Sequence, residues 1–200
     1  MKNKILLATM LLMACIVSSK AQQNYKPSEY DYIYQIHVTT IKGKKIDWTT
    51  FKKLKDLGQL TNNTVELDPV ETPGKTPIYL GQYLGKSTAK KILAEVQKRG
   101  YKNAKIVSDG GFTLGHSTGK YVRYALQLGA FKSLKLVNVG KYPQKDEDDR
   151  IYLQYKGGAF KVFYGIYSGG DMPYGTETAK ANIVPWLKKK GYQTFFQKFR

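Results

Sequence analysis

The chain has 200 residues, with 33 Lys and Arg against 15 Asp and Glu, so its formal net charge is +18 at pH 7. One cysteine excludes a disulfide framework, and two histidines are too few for an ordinary His- or Cys-based metal centre. We therefore expect no metal and no cofactor. A positive charge of this size favours an anionic partner without naming one.

Residues 1–21 have the three parts of a secretory signal peptide. Lys2 and Lys4 precede thirteen uncharged residues, 5–17, and small residues close the segment. The apolar run is too short to span a membrane. We therefore expect an exported chain, periplasmic or associated with the cell envelope, with no nucleic-acid partner. The alternative is a lipobox ending at Cys15, and only that outer-membrane lipoprotein would have a membrane anchor.

The rest of the chain repeats one set of landmarks twice. Each half begins with a strand and later reaches a Gly-Tyr pair, and the spacing is 67 positions from Tyr34 to Tyr101 and 68 from Tyr124 to Tyr192. This repetition indicates a duplicated module. The predicted organisation is a signal peptide at 1–21, a first module at 28–108, a linker rich in Gly, Ser and Thr at 109–120, and a second module at 121–200.

The first half has the predicted order β-α-β-β-α-β. In its first helix Asp47 is the expected cap, and in its second the cap is Ser87 or Thr88, with Gly100 at the end. The second helix should bury Ala89, Ile92, Leu93 and Val96 and leave its lysines in water. The predicted elements are a strand from Tyr34, a helix from Asp47 to Gly58, strands near Thr64–Leu67 and at Ile78–Tyr83, a helix over 86–100, and a strand at Ala104–Val107.

The second half follows the same plan. A short helix or turn is expected at Leu134–Gly140 and a solvated acidic loop at 146–149. A hairpin at Gly157-Gly158 should join strands Ile151–Tyr155 and Phe160–Tyr167. A helix over Ala179–Lys190 should kink or restart at Pro185, because proline lacks the backbone N–H.

The opening strand of the second half, YALQLGAF at residues 124–131, alternates with period two. Alternation assigns Leu126 and Leu128 to a face that packs on the helices, and Ala125 and Gln127 to the opposite, open face. An amide on an open sheet face is either simply solvated or available to a ligand. Gln127 is therefore the first candidate binding residue.

The second half resembles the SPOR (sporulation-related repeat) domain. The resemblance rests on YALQLGAF, then a strand ending Gly165-x-Tyr167, an Ala-containing helix, Gly-Tyr and a last strand. The first half departs from the pattern, with His37 at the glutamine position and Thr39-Thr40 where Gly-Ala would stand. The first module is therefore a degenerate copy.

The resemblance implies an α+β fold of two βαββαβ modules. Each would be a ferredoxin- or RNP-like antiparallel sheet of four strands with helices on one face. It also implies that the other face binds the glycan strands of peptidoglycan. Alternation puts further side chains on that face, so the full candidate site is Gln127, Lys161, Phe163, Tyr152 and Gln154 in the second module, with His37 and Tyr79 at the matching positions of the first.

Catalysis has little support in the sequence. There is no H-E-x-x-H motif, no serine in a nucleophile elbow, and no pair of carboxylates suited to glycan cleavage. We therefore expect a protein that is not an enzyme. The competing interpretation is an exported module that binds an envelope protein or has a structural role and no longer binds glycan.

Overall fold

The structure is a computed structural model, and it describes residues 29–62, 74–108, 123–145, 150–168 and 175–199. The predicted signal peptide with Cys15, the linker 109–120, the acidic run 146–149 and the strand expected near 64–67 lie outside these residues.

Within the described residues, eight strands form one mixed sheet in the order β4-β1-β3-β6-β7-β5-β8, with β2 also paired to β3. The α+β class is confirmed. The strands make a single sheet and not two separate antiparallel ones, because β3 and β6 pair in parallel. The strands are β1 (Ile33–Lys42), β2 (Leu60–Thr61), β3 (Lys75–Leu84), β4 (Lys105–Ser108), β5 (Arg123–Phe131), β6 (Ile151–Lys156), β7 (Ala159–Ser168) and β8 (Phe195–Phe199).

The helices pack against one face of this sheet and enclose the main hydrophobic core with it. Helix α1 is regular, whereas helix α2 has three consecutive parts. The helical elements are α1 (Lys86–Lys98), α2 (an α-turn Thr176–Thr178, a π-helix Ala179–Ile183 and an α-helix Val184–Lys189), and 3₁₀-helices at Glu29–Asp31, Trp48–Leu54, Leu134–Leu136 and Val139–Lys141.

The first predicted helix is a 3₁₀-helix, Trp48–Leu54. Its apolar residues recur every third position, at Trp48, Phe51 and Leu54, which is the period of a 3₁₀-helix and not of an α-helix. Asp47 caps it as predicted, since its carboxylate accepts the Thr49 N–H at 3.0 Å.

Helix α1 confirms the predicted buried stripe but not the predicted cap. Ala89, Ile92 and Val96 are fully buried, and Leu93 packs at the edge of the core. Ser87 lies inside the helix, and the carboxylate of Glu29, from a distant segment, accepts both its N–H (3.2 Å) and its hydroxyl (3.0 Å). A cap supplied from 58 residues away leaves no local sequence signal.

Helix α2 is irregular just before Pro185, as predicted. The π-helical stretch Ala179–Ile183 ends two residues before this proline. The pyrrolidine ring cannot donate a hydrogen bond into the preceding turn, so the backbone takes wider spacing there. Ala179 and Leu187 still reach the core on either side of the irregular turn.

Each half contains the same glycine bulge. Gly81 in β3 and Gly165 in β7 have positive φ angles, +83° and +61°. The Gly81 N–H donates to the carbonyl of Gln59, just before β2, at 2.7 Å, and the Gly165 N–H donates to the carbonyl of Arg150, just before β6, at 3.0 Å. The tyrosine two positions later folds back over the glycine. A Cβ at Gly81 would lie 2.0 Å from Cζ of Tyr83, so a side chain there is excluded.

The halves are joined in both layers. In the sheet, Tyr83 and Leu84 of β3 pair with Leu153 and Gln154 of β6. In the helical layer the Val139 N–H donates to the Asp56 carbonyl oxygen at 2.8 Å. One core contains buried residues from both halves.

Thr88 is a buried link between the halves. Its hydroxyl donates to the Leu84 carbonyl (2.6 Å) and accepts the Tyr155 N–H (2.8 Å), which connects α1 and β3 of the first half to β6 of the second. Tyr30 adds a parallel link, because its hydroxyl donates to the Tyr155 carbonyl at 3.2 Å.

The face assignments predicted for β5 are partly correct. Leu126 is fully buried in the main core. Leu128 is only half-buried, because the pairing of β5 with β7 shifts between Gln127 and Gly129 and makes Leu128 a bulge residue. Ala125, assigned to the open face, is fully buried there.

The two leucines of β5 should therefore differ in their effect on stability. We expect Leu126→Ala to lower the free energy of unfolding by about 2–5 kcal/mol through cavity formation. Leu128→Ala should cost roughly 1 kcal/mol, because less of its surface is removed from water. Urea unfolding of both variants checks the order, and a larger loss for Leu128→Ala would contradict the bulge.

The shared core also predicts how the halves behave when the chain is cut. A specific protease site inserted within 109–120 should yield two fragments that stay associated, because strand pairing, Thr88 and the common core hold them. The cut chain should elute from a sizing column at the position of the intact chain and melt in one transition. Separation of the fragments under native conditions would contradict this.

Candidate functional site

The candidate residues of the second half lie on the sheet face opposite the helices. Gln127 in β5 is opposite Phe163 in β7, and Phe163 is opposite Tyr152 in β6. Two positions along, Gln154 is opposite Lys161. Antiparallel partners point to the same side of a sheet, so these five side chains share one face.

Three of these five side chains are covered. Phe163 is fully buried, Gln154 is 1 % exposed and Tyr152 is 9 % exposed. Phe163 and Tyr152 belong to a second hydrophobic cluster on this face, together with Ile33, Leu84 and Ala125. The centre of the face is therefore not open, contrary to the sequence-based expectation, and these rings offer no free surface for stacking.

Buried glutamines lie beside this second cluster. Gln82 in β3 is 3 % exposed, and neither its Oε1 nor that of Gln154 has a hydrogen-bond partner within the described ranges. Gln35 in β1 is also buried, and its Nε2 donates weakly to the Gly81 carbonyl at 3.5 Å. A buried amide oxygen without a hydrogen-bond partner lowers the stability of the fold. These amides lie where the two halves meet.

The accessible part of the second-half site is Gln127 with Phe195. Gln127 is half-buried, and its partner in β8 is Phe195, which is 60 % exposed. An exposed ring next to an amide offers an apolar stacking surface and hydrogen-bonding groups together. Lys161 is half-buried and lies on the β7 side of the same face.

Phe195 was not among the residues predicted from the sequence. The last strand reads TFFQKF, and alternation alone leaves open which of its two adjacent phenylalanines faces the helices. The register with β5 decides it. Phe196 is opposite the buried Leu126 and Phe195 is opposite Gln127.

The matching patch of the first half contains His37, Tyr79 and Lys105. His37 in β1 is opposite Tyr79 in β3 and Lys105 in β4, so it occupies the position that Gln127 has between Phe163 and Phe195. The His37 and Tyr79 rings are tilted with centroids 5.6 Å apart, and both side chains are half-buried. The two candidate residues of the first half therefore lie together.

The surroundings of His37 favour its neutral form. Partial burial, and then the nearby charge of Lys105, lower the pKa of its imidazole below the ordinary value of about 6.5. Its Nε2 is 2.9 Å from the Thr40 hydroxyl, and its Nδ1 has no hydrogen-bond partner in the described part of the chain.

The chain is strongly basic, with a formal net charge of +18 at pH 7. Among the residues that the structure describes, no cluster of three or more His, Cys, Asp or Glu side chains is arranged to hold a metal ion. None of the described helices has the length and apolar character needed to cross a membrane.

No protein-family model, curated protein or solved structure matches the chain. Its function is therefore inferred from its own residues and their geometry.

His37 should make stability depend on pH. Its pKa is lower in the folded state than in the unfolded state, so the folded state favours the neutral ring. The protein therefore loses stability as pH falls from about 6.5, the ordinary pKa of histidine, towards the lower pKa of His37 in the folded state. We expect His37→Gln to lose less stability than the wild type between neutral pH and about pH 5.5. Thermal melts of both proteins test this, and identical losses would exclude His37 as the titrating group.

Proposed function

We propose that this chain is a non-catalytic binding protein of the bacterial cell envelope that recognises the glycan strands of peptidoglycan. The observation that carries the proposal is the pairing of the half-buried Gln127 with the exposed ring of Phe195 on the sheet face away from the helices. The proposal includes export through the segment 1–21.

Sugar recognition suits this pair of side chains. The C–H face of a pyranose ring stacks on an aromatic ring, and its hydroxyl or acetamido groups need hydrogen-bond partners. The Gln127 amide has both a donor and an acceptor. Lys161 on the same face, and Lys105 beside His37, can attract the carboxylate of muramic acid. Each feature alone is common on sheets, and their convergence supports the proposal.

We further propose that the two halves are SPOR-like βαββαβ modules fused edge to edge, the first of them degenerate. The support is that the local strand order is the same in both, β4-β1-β3-β2 and β8-β5-β7-β6. The bulges also coincide. Pairing shifts after Tyr34 and His37 in β1 and after Tyr124 and Gln127 in β5. Shared irregularities are a stronger sign of duplication than shared strands.

The first patch should contribute less to glycan binding than the second. An imidazole that packs against Tyr79 and bonds to Thr40 has fewer free hydrogen-bonding groups than an amide. The exposed ring is also missing, because Lys105 stands where the second half has Phe195. Lysine there supplies charge but no stacking surface.

The test is retention of the purified protein on isolated sacculi, before and after an amidase removes the stem peptides. Gln127→Ala should weaken binding about two- to tenfold, the loss expected for one or two hydrogen bonds to a sugar. Phe195→Ala should weaken it by a similar factor through lost stacking. Leu136→Ala is the matched control, because Leu136 is an equally exposed apolar side chain (62 %) in the helical layer.

Salt and melting measurements complete the test. Retention should fall at high salt but persist, because stacking is not screened as charge attraction is. All three variants should melt as the wild type does, since the altered side chains are at least partly exposed. Equal retention of wild type, Gln127→Ala and Phe195→Ala would reject glycan binding by this patch and favour an envelope-protein partner.

A further inference from the structure

The helical layer has a surface of its own, distinct from the candidate glycan site. The segment 132–141 buries Val137 and Val139 in the main core and leaves Leu136 62 % exposed. Leu136 and Phe195 are the two large hydrophobic side chains that stand exposed in the described part of the chain, one in each layer.

Exposed lysines lie on the same segment as Leu136. Lys132, Lys135 and Lys141 of the same segment are exposed, and residues 132–141 contain these three basic side chains and no acidic one. The acidic run 146–149 follows in the sequence. Lys141 is held in place by two aromatic rings, with its Nζ 5.9 Å from the centroid of Phe131 and 5.7 Å from that of Tyr142.

Two other elements contact this segment. The backbone of Gly140 packs against the Lys55 carbonyl at the end of the Trp48–Leu54 helix. The Tyr192 hydroxyl, which follows the exposed lysines 188–190 at the end of helix α2, donates to the Lys141 carbonyl at 3.2 Å. Asp56, which follows Lys55, is paired with Arg99 at 2.5 Å.

We propose that this surface, defined by Leu136 and Lys132, Lys135 and Lys141, docks the protein onto an anionic lipid bilayer. A soluble polyanion would use the lysines but would gain nothing from an exposed leucine. A bilayer surface uses both, because its phosphates attract the ammonium groups while the leucine enters the boundary between headgroups and acyl chains. The association is peripheral, and it leaves the opposite sheet face free.

The experiment is co-sedimentation of the purified protein with vesicles of phosphatidylcholine, alone or with added phosphatidylglycerol. The protein should bind only the anionic vesicles. Leu136→Ala should weaken binding about fivefold, and Leu136→Trp should strengthen it, because an indole ring is favoured at the membrane interface. Phe195→Ala is the matched control and should bind as the wild type does.

The contribution of the lysines is tested by removing the same number of positive charges on this surface and elsewhere on the protein. Lys132→Gln, Lys135→Gln and Lys141→Gln combined should reduce binding about fivefold for each charge removed. The control removes the same charge at Lys42, Lys75 and Lys102, of which Lys42 and Lys75 pair at the opposite end of the sheet. It should have a much smaller effect, and equal losses would overturn a localised surface.

Competition with inorganic polyphosphate tests whether the surface binds a soluble polyanion and not a bilayer. If Leu136→Ala and Leu136→Trp bind vesicles as the wild type does while polyphosphate displaces all three, the surface binds soluble polyanions and the bilayer proposal is overturned. Melting curves verify that the variants are folded. Phe195→Ala should weaken binding to sacculi and Leu136→Ala should weaken binding to vesicles, so the glycan proposal and the bilayer proposal can each fail without the other.

Discussion

The architecture depends on one constraint: β2 pairs with only a short part of the edge of β3. Strand β2 has two residues and pairs with Leu80 and Tyr79. Just beyond this pair, the bulge at Gly81 breaks the ladder, and the last residues of β3 would otherwise present unpaired backbone groups. Strand β6 occupies that edge in parallel. The short strand and the bulge in the first half thus create the pairing site for the second.

This junction changes what the molecule can present to a partner. Two sheets joined by a linker would hold their faces at variable spacing, whereas one sheet holds them rigidly. His37 on β1 and Gln127 on β5 are separated by four strand spacings, about 19 Å across the sheet. Between them lie the second hydrophobic cluster and the buried glutamines. The accessible chemistry is therefore divided into two patches at a set distance.

The two layers carry different chemistry in a chain with a formal net charge of +18 at pH 7. The sheet face combines amide and aromatic groups at Gln127 and Phe195, while the helical layer combines lysines with Leu136. Lysines are also stabilised locally by rings, such as Lys91, whose Nζ is 4.2 Å from the centroid of Tyr155. Such contacts hold the ammonium groups in place at the surface without neutralising them.

Most of the local elements and the α+β class could be predicted from the sequence. Period-two alternation in YALQLGAF, the stripe of Ala89, Ile92 and Val96, the turn at Gly157-Gly158 and the break before Pro185 are all properties of neighbouring residues, so they can be read without a fold. Four features could not be predicted in this way: the cap of α1 by Glu29, the pairing of β3 with β6, the burial of Phe163 and the exposure of Phe195. Each of these depends on which strands become neighbours and with what register, and contacts between residues far apart in the chain leave no periodic trace in its sequence.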